Sequence, residues 1–116
     1  ELGGNDALRG YSINLIKSNL EKMIALAKQN KSKVLLMQIR IPPNYGQKYT
    51  HAFEKIYVDL AQTEEVYLLP FMLEEIGINS ELMQPDGIHP NKKAQPLIAK
   101  EMKKNIDKFL LFNQSN

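Results

Sequence analysis

The stretch KVLLMQIR, residues 33–40, decides the fold. Val34 to Met37 are apolar without alternation, and Pro42-Pro43 close the run shortly afterwards. A short apolar run with no polar face reads as a strand covered on both sides, as in parallel sheets layered with helices. VYLLPF, residues 66–71, repeats the signal.

Outward from these two strands the period changes. Ile13, Ile16, Leu20, Met23, Ile24 and Ala27 recur at three- and four-residue steps among lysines and asparagines, which predicts an amphipathic helix ending near Gln29-Asn30. Between the strands, PPNYGQ (residues 42–47) reads as a loop, and Ala52, Phe53, Ile56, Tyr57 and Leu60 mark a second helix. A long irregular segment with Gly77, Pro85, Gly87 and Pro90 follows the second strand. The last helix carries Leu97, Ile98, Met102, Ile106, Phe109 and Leu110 on one face and lysines on the other. Proline is tolerated only in a first helical turn, so Pro96 places the regular start near Gln95.

The order turn, helix, strand, helix, strand, loop, helix is the α/β alternation that builds a parallel sheet covered by helices. Strands apolar throughout need neighbours, and two parallel strands make a poor core by themselves. Glu1-Leu2, leading into the Gly3-Gly4-Asn5-Asp6 turn, resemble the last residues of a third strand. The expectation is that residues 1–116 are the C-terminal portion of one larger α/β domain.

Composition narrows the chemistry. With 15 Lys and Arg against 13 Asp and Glu, the net charge of +2 makes no electrostatic case for nucleic acid or an anionic membrane. The absence of cysteine removes disulfides, thiolate catalysis and cysteine metal sites, and leaves the compartment open. No apolar run approaches the ~18 residues of a membrane span.

Polar candidates gather at strand ends, where open α/β sheets place their sites. His51, beside Thr50 and Glu54 at the start of a helical pattern, reads as an exposed residue of the first turn. His89 differs, lying in Asp86-Gly87-Ile88-His89-Pro90 before the last helix. A carboxylate three residues ahead on a tight loop can turn back to accept the imidazole Nδ1–H, fixing the tautomer and leaving Nε2 as a general base. The ordinary reading, a turn aspartate before glycine and a solvated loop histidine, fits the same spacing. One histidine and one carboxylate do not make a tetrahedral metal site. Gly3-Gly4-Asn5-Asp6 is either a plain turn capping the next helix or a turn that presents the Asn5 amide to a developing oxyanion.

These segments carry a family resemblance. ELGGNDALRG (residues 1–10) resembles the G-x-N-D block of the SGNH (GDSL) hydrolases, and DGIHP (residues 86–90) their D-x-x-H block. IRIPPNYGQKYTHAFEKIY (residues 39–57) and LLPFMLEEIGINSELMQPDGIHPNKKAQPLIA (residues 68–99) are similar to the bacterial thioesterase I/protease I/lysophospholipase group, which includes arylesterases.

The resemblance implies a three-layer α/β/α, flavodoxin-like fold, here only its C-terminal part, and hydrolysis of carboxylic esters or thioesters without a cofactor. It implies His89 as general base and acid, Asp86 as the residue orienting it, and Asn5 as oxyanion donor, with Gly3 supplying the tight backbone that lets Asn5 face the pocket. Leu8 and Arg9, and Ile41 and Pro42, match loops that line the acyl pocket in relatives, and Ile88 would add an apolar wall beside the histidine, although ordinary loop packing serves as well for each. The G-D-S block with its serine and the second-block glycine have no match. Ser12, Ser18, Ser32, Ser80 and Ser115 fall in helical, linker or tail positions unsuited to a nucleophile.

The chain alone is therefore expected to be inactive, with the triad serine elsewhere. The partner expected is a small acyl ester or thioester, with no nucleic acid and no stable membrane insertion. A different class of function remains beside it: a non-catalytic fragment that associates through an unpaired sheet edge with an N-terminal piece or with itself. The resemblance suggests a periplasmic or secreted protein. Thioesters, aryl esters and lysophospholipids are not separated by the residues present.

Overall fold

The computed structural model describes residues 1–64 and 66–114, with side chains described to residue 111. Ser115 lies outside the described residues. The chain divides into two compact units, Glu1–Pro70 and Phe71–Asn116.

The first unit opens with α1 (Gly4–Leu8), a single helical turn where the sequence predicts only a turn. Gly3 precedes it in the left-handed region, φ 101°, and accepts the first helical bond from the Ala7 N–H. α2 (Ile13–Gln29) starts where the Ser12 hydroxyl accepts the Leu15 N–H. It stops in a Schellman arrangement: Lys31 adopts φ 59°, its N–H reaches the Lys28 carbonyl, and the Ser32 N–H reaches Ala27.

β1 (Leu35–Met37), α3 (Gln47–Thr63) and β2 (Tyr67–Leu69) then form a β-α-β crossover, with Leu35, Leu36 and Met37 registered in parallel on Tyr67, Leu68 and Leu69. Leu36 and Met37 point to opposite faces and are both buried, as a strand covered on two sides requires. Both strands are shorter than the apolar runs that predict them. Strand length follows paired backbone, and among the described residues the sheet has these two strands alone. Glu1-Leu2 lie outside any strand. The predicted loop after β1 contains a 3₁₀ turn, Pro43–Tyr45, and Gly46 at φ 88° leads from it into α3. His51 is exposed as expected, though α3 begins at Gln47 and puts it in the second turn.

α3 buries Phe53, Ile56, Tyr57 and Leu60, and α2 buries Ile16, Leu20 and Ile24. Removing each large apolar side chain from water contributes roughly 1.5–3 kcal/mol. Phe53 and Tyr57 meet edge to face with centroids 5.3 Å apart. Met23, expected on the inner face of α2, is exposed.

The second unit runs through turns to a 3₁₀ turn at Ser80–Leu82, an antiparallel bridge between Met83 and Pro90, a second 3₁₀ turn at Lys92–Ala94, and α4 (Gln95–Gln114). Pro96 sits in the first turn of α4, which tolerates it. The apolar face expected for α4 is only partly buried. Phe109 is buried, whereas Leu97, Ile106 and Leu110 are exposed. Asn105, a polar residue, is buried and donates to the Glu101 carbonyl and carboxylate. Periodicity shows which side of a helix is apolar, but burial also needs something packed against it.

Candidate active site

The Asp86–His89 loop is built from its own hydrogen bonds. Asp86 Oδ1 accepts the backbone N–H groups of Ile88 (2.9 Å) and His89 (3.0 Å), and Oδ2 stands 2.7 Å from His89 Nδ1. Gly87, at φ 67°, makes the left-handed step that turns the chain back on the carboxylate. The His89 backbone N–H, then its imidazole, then the Ile88 N–H hold the Asp86 carboxyl down to about 2. Asp86 is therefore an anion, and Nδ1 must carry the proton in this contact. Nε2 is left as the basic nitrogen. The two side chains are 64% and 44% exposed, so solvent screens their attraction. The contact orients the ring more than it stabilises the fold.

Asn91 and Gln84 brace this loop. Asn91 donates its side-chain amide to the Glu81 and Met83 carbonyls and accepts the Lys93 N–H, capping the turn into α4. The Gln84 N–H donates to the His89 carbonyl at 2.7 Å, and its side chain reaches the Pro90 carbonyl. Asn91 before a helix start was a readable capping signal; its clamp on residues 81 and 83 was not.

The second group of candidates lies in the first unit. Asn5 is exposed on α1, one residue past the helix start, and Arg9 is exposed after it. Gly3 and Leu8 are half-buried. Ile41 is buried and Pro42 exposed beyond β1. The Tyr45 hydroxyl donates to the Leu8 carbonyl at 2.9 Å, which joins the loop after β1 to the end of α1. Ile88 is exposed in the Asp86–His89 loop of the second unit.

Among the described residues, Ser12, Ser18, Ser32 and Ser80 lie at a helix cap, within α2, after α2 and in a 3₁₀ turn; none follows β1 or β2 into a helix. No three His, Cys, Asp or Glu side chains among them gather to hold a metal ion. No helix among them is long and apolar enough to cross a membrane.

Residues 1–96 match the model of the GDSL-like lipase/acylhydrolase family. The chain belongs to this family. It is 47% identical to an arylesterase of Vibrio mimicus over 95% of its own length and 55% of that protein's. It is also 47% identical to thioesterase 1/protease 1/lysophospholipase L1 of Escherichia coli K12, over 91% of its length and 51% of that protein's. The chain thus spans about half the length of the curated relatives it matches.

Among solved structures this GDSL-like chain resembles the psychrotrophic esterase EstA of Pseudoalteromonas sp., crystallised inhibited by monoethylphosphonate. The TM-score is 0.92 at 40% identity, over 95% of this chain and 60% of that one. It also resembles AlinE4, an SGNH-hydrolase family esterase, with a TM-score of 0.71 at 36% identity over 95% and 58% of the two chains. Its fold is the α/β fold of SGNH hydrolases, and its relatives are ester and thioester hydrolases.

Proposed function

We propose that this chain carries the histidine–aspartate pair and the asparagine oxyanion donor of a serine acyl-ester hydrolase, with the nucleophilic serine supplied from outside these 116 residues. The 2.7 Å contact between His89 Nδ1 and Asp86 Oδ2 carries the reading. It supplies an oriented base, and none of the described serines follows β1 or β2 into a helix, the position suited to a nucleophile.

In the reaction, the serine oxygen bonds to the acyl carbonyl carbon as its proton passes to His89 Nε2. Asp86 stabilises the resulting imidazolium through Nδ1. The Asn5 amide donates to the tetrahedral oxyanion, an interaction that strengthens as charge develops. Collapse expels the alcohol or thiol, which takes the proton from His89. Water then attacks the acyl-serine with His89 again as base, releasing the acid and restoring the serine. Carboxylic esters and thioesters both fit, in keeping with the names of the relatives. Export to the periplasm or beyond is part of the same reading and rests on the family resemblance alone.

Hydrolysis of p-nitrophenyl butyrate tests the proposal. The chain by itself should not exceed background. Co-expressed with a G-D-S segment of the family it should turn over, and His89→Ala should abolish that turnover. Activity in the isolated chain would refute an external serine, and a silent complemented protein would refute the hydrolase. The two-strand sheet favours a second reading, in which the chain only associates through a sheet edge with another segment or a second copy. That reading predicts a stable complex by light scattering and no turnover after complementation.

A further inference from the structure

We propose that Tyr57 is a positioning residue for Asn5, acting through the Leu2 carbonyl and the bare side of Gly3; this rests on the oxyanion role given to Asn5 above. Tyr57 is fully buried, and its hydroxyl donates to the Leu2 carbonyl at 2.8 Å across 55 residues of sequence. A Cβ on Gly3 would stand 2.8 Å from that same hydroxyl oxygen. Residue 3 is thus held to glycine twice, by its φ of 101° and by the oxygen occupying the space a side chain would need.

The consequence falls on α1. Its five residues are too few to keep a direction by their own hydrogen bonds, so that direction is set from outside. At its start, Tyr57 fixes the Leu2 carbonyl, and the next carbonyl, on Gly3, accepts the Ala7 N–H. Ala7 is fully buried. At its end, the Tyr45 hydroxyl holds the Leu8 carbonyl, and the Tyr49 hydroxyl holds that of Tyr11 at 2.6 Å. Asn5 lies between these anchors.

A phenylalanine at 57 would fill the same core against Phe53. What the hydroxyl adds is a fixed direction for one carbonyl. Burial, with the Glu1 and Asp6 carboxylates adding to it, pushes the Tyr57 hydroxyl above its ordinary pKa, so it remains a donor. An amide that must meet an oxyanion at hydrogen-bond distance tolerates little displacement, which is where such a constraint is felt in rate.

The test is a double-mutant cycle in the serine-complemented hydrolase, read as kcat and KM on p-nitrophenyl butyrate. Tyr57→Phe should lower kcat about tenfold and leave KM unchanged. Asn5→Ala should lower kcat by roughly 10²–10³. The double variant should be no slower than Asn5→Ala, because Tyr57 acts through Asn5. Multiplying effects would overturn the proposal.

A second readout does not depend on turnover. In the 116-residue chain, Tyr57→Phe should shift the Asn5 side-chain amide resonances while those of Asn91 stay in place. Unmoved Asn5 signals would overturn the proposal. A complemented wild type without activity would instead sink the hydrolase reading, leaving these resonances to judge Tyr57.

Discussion

Asp86 holds His89 at two points: one carboxylate oxygen stands 2.7 Å from the imidazole Nδ1, and the other accepts the backbone N–H of the same histidine at 3.0 Å. The ring and the chain that bears it are therefore set by a single side chain. Removing that side chain would release both.

Asp86→Asn keeps the size and can keep the backbone contacts, but an amide NH₂ facing Nδ1 favours the wrong tautomer. In the serine-complemented hydrolase, kcat should fall by about 10⁴, as loss of the orienting carboxylate does in serine triads. The chain should unfold at nearly the same temperature as wild type, since the pair is solvent-exposed. Steady-state kinetics and a thermal melt check the two halves.

Acid should release the same lock. Asp86 falls from an ordinary 3.8 to about 2 in the folded chain, so its stabilising contribution is complete above 3.8 and is lost as pH drops through about 2. The Ile88 and His89 backbone amide resonances, followed downward from about pH 5, should move with a midpoint near 2. A midpoint near 3.8 would show that the contacts do not favour the anion.

Phe53 is fully buried and packs edge to face on Tyr57, whereas His51 is exposed two residues earlier on the same helix. Phe53→Ala should cost roughly 3–5 kcal/mol. His51→Ala should stay within about 0.5 kcal/mol. Urea unfolding of both variants measures the contrast, and similar costs would contradict the burial assigned to α3.

Asn91→Ala removes two donated bonds and a cap. A loss of about 1–3 kcal/mol is expected on denaturant unfolding. Hydrogen exchange should accelerate at His89 and Asn91, whose N–H groups bond Asp86 and Leu82 across the braced loop.

Residues close in sequence explain why the Asp86–His89 pair was legible. Three residues, one of them glycine, leave few ways for a carboxylate to turn back, and D-x-x-H carries that geometry in its spacing. The Gly3–Asp6 segment was legible only as a turn. Its helical form depends on the Ala7 N–H reaching Gly3, and its orientation on tyrosines 37 to 55 residues away. Nothing in the apolar spacing of α3 separates Tyr57 from a core phenylalanine.

By itself, the sequence determined the alternation of helices and strands, the end of α2 near Asn30, the start of α4 near Gln95, and the family. Each follows from periodicity, caps or motif spacing, which act over a few residues. Only the tertiary structure decided that Met23, Leu97 and Leu110 stay exposed, that Asn105 is buried, and that Tyr57 reaches Leu2. Burial and long-range hydrogen bonds need a partner brought close by folding, and local pattern does not name that partner.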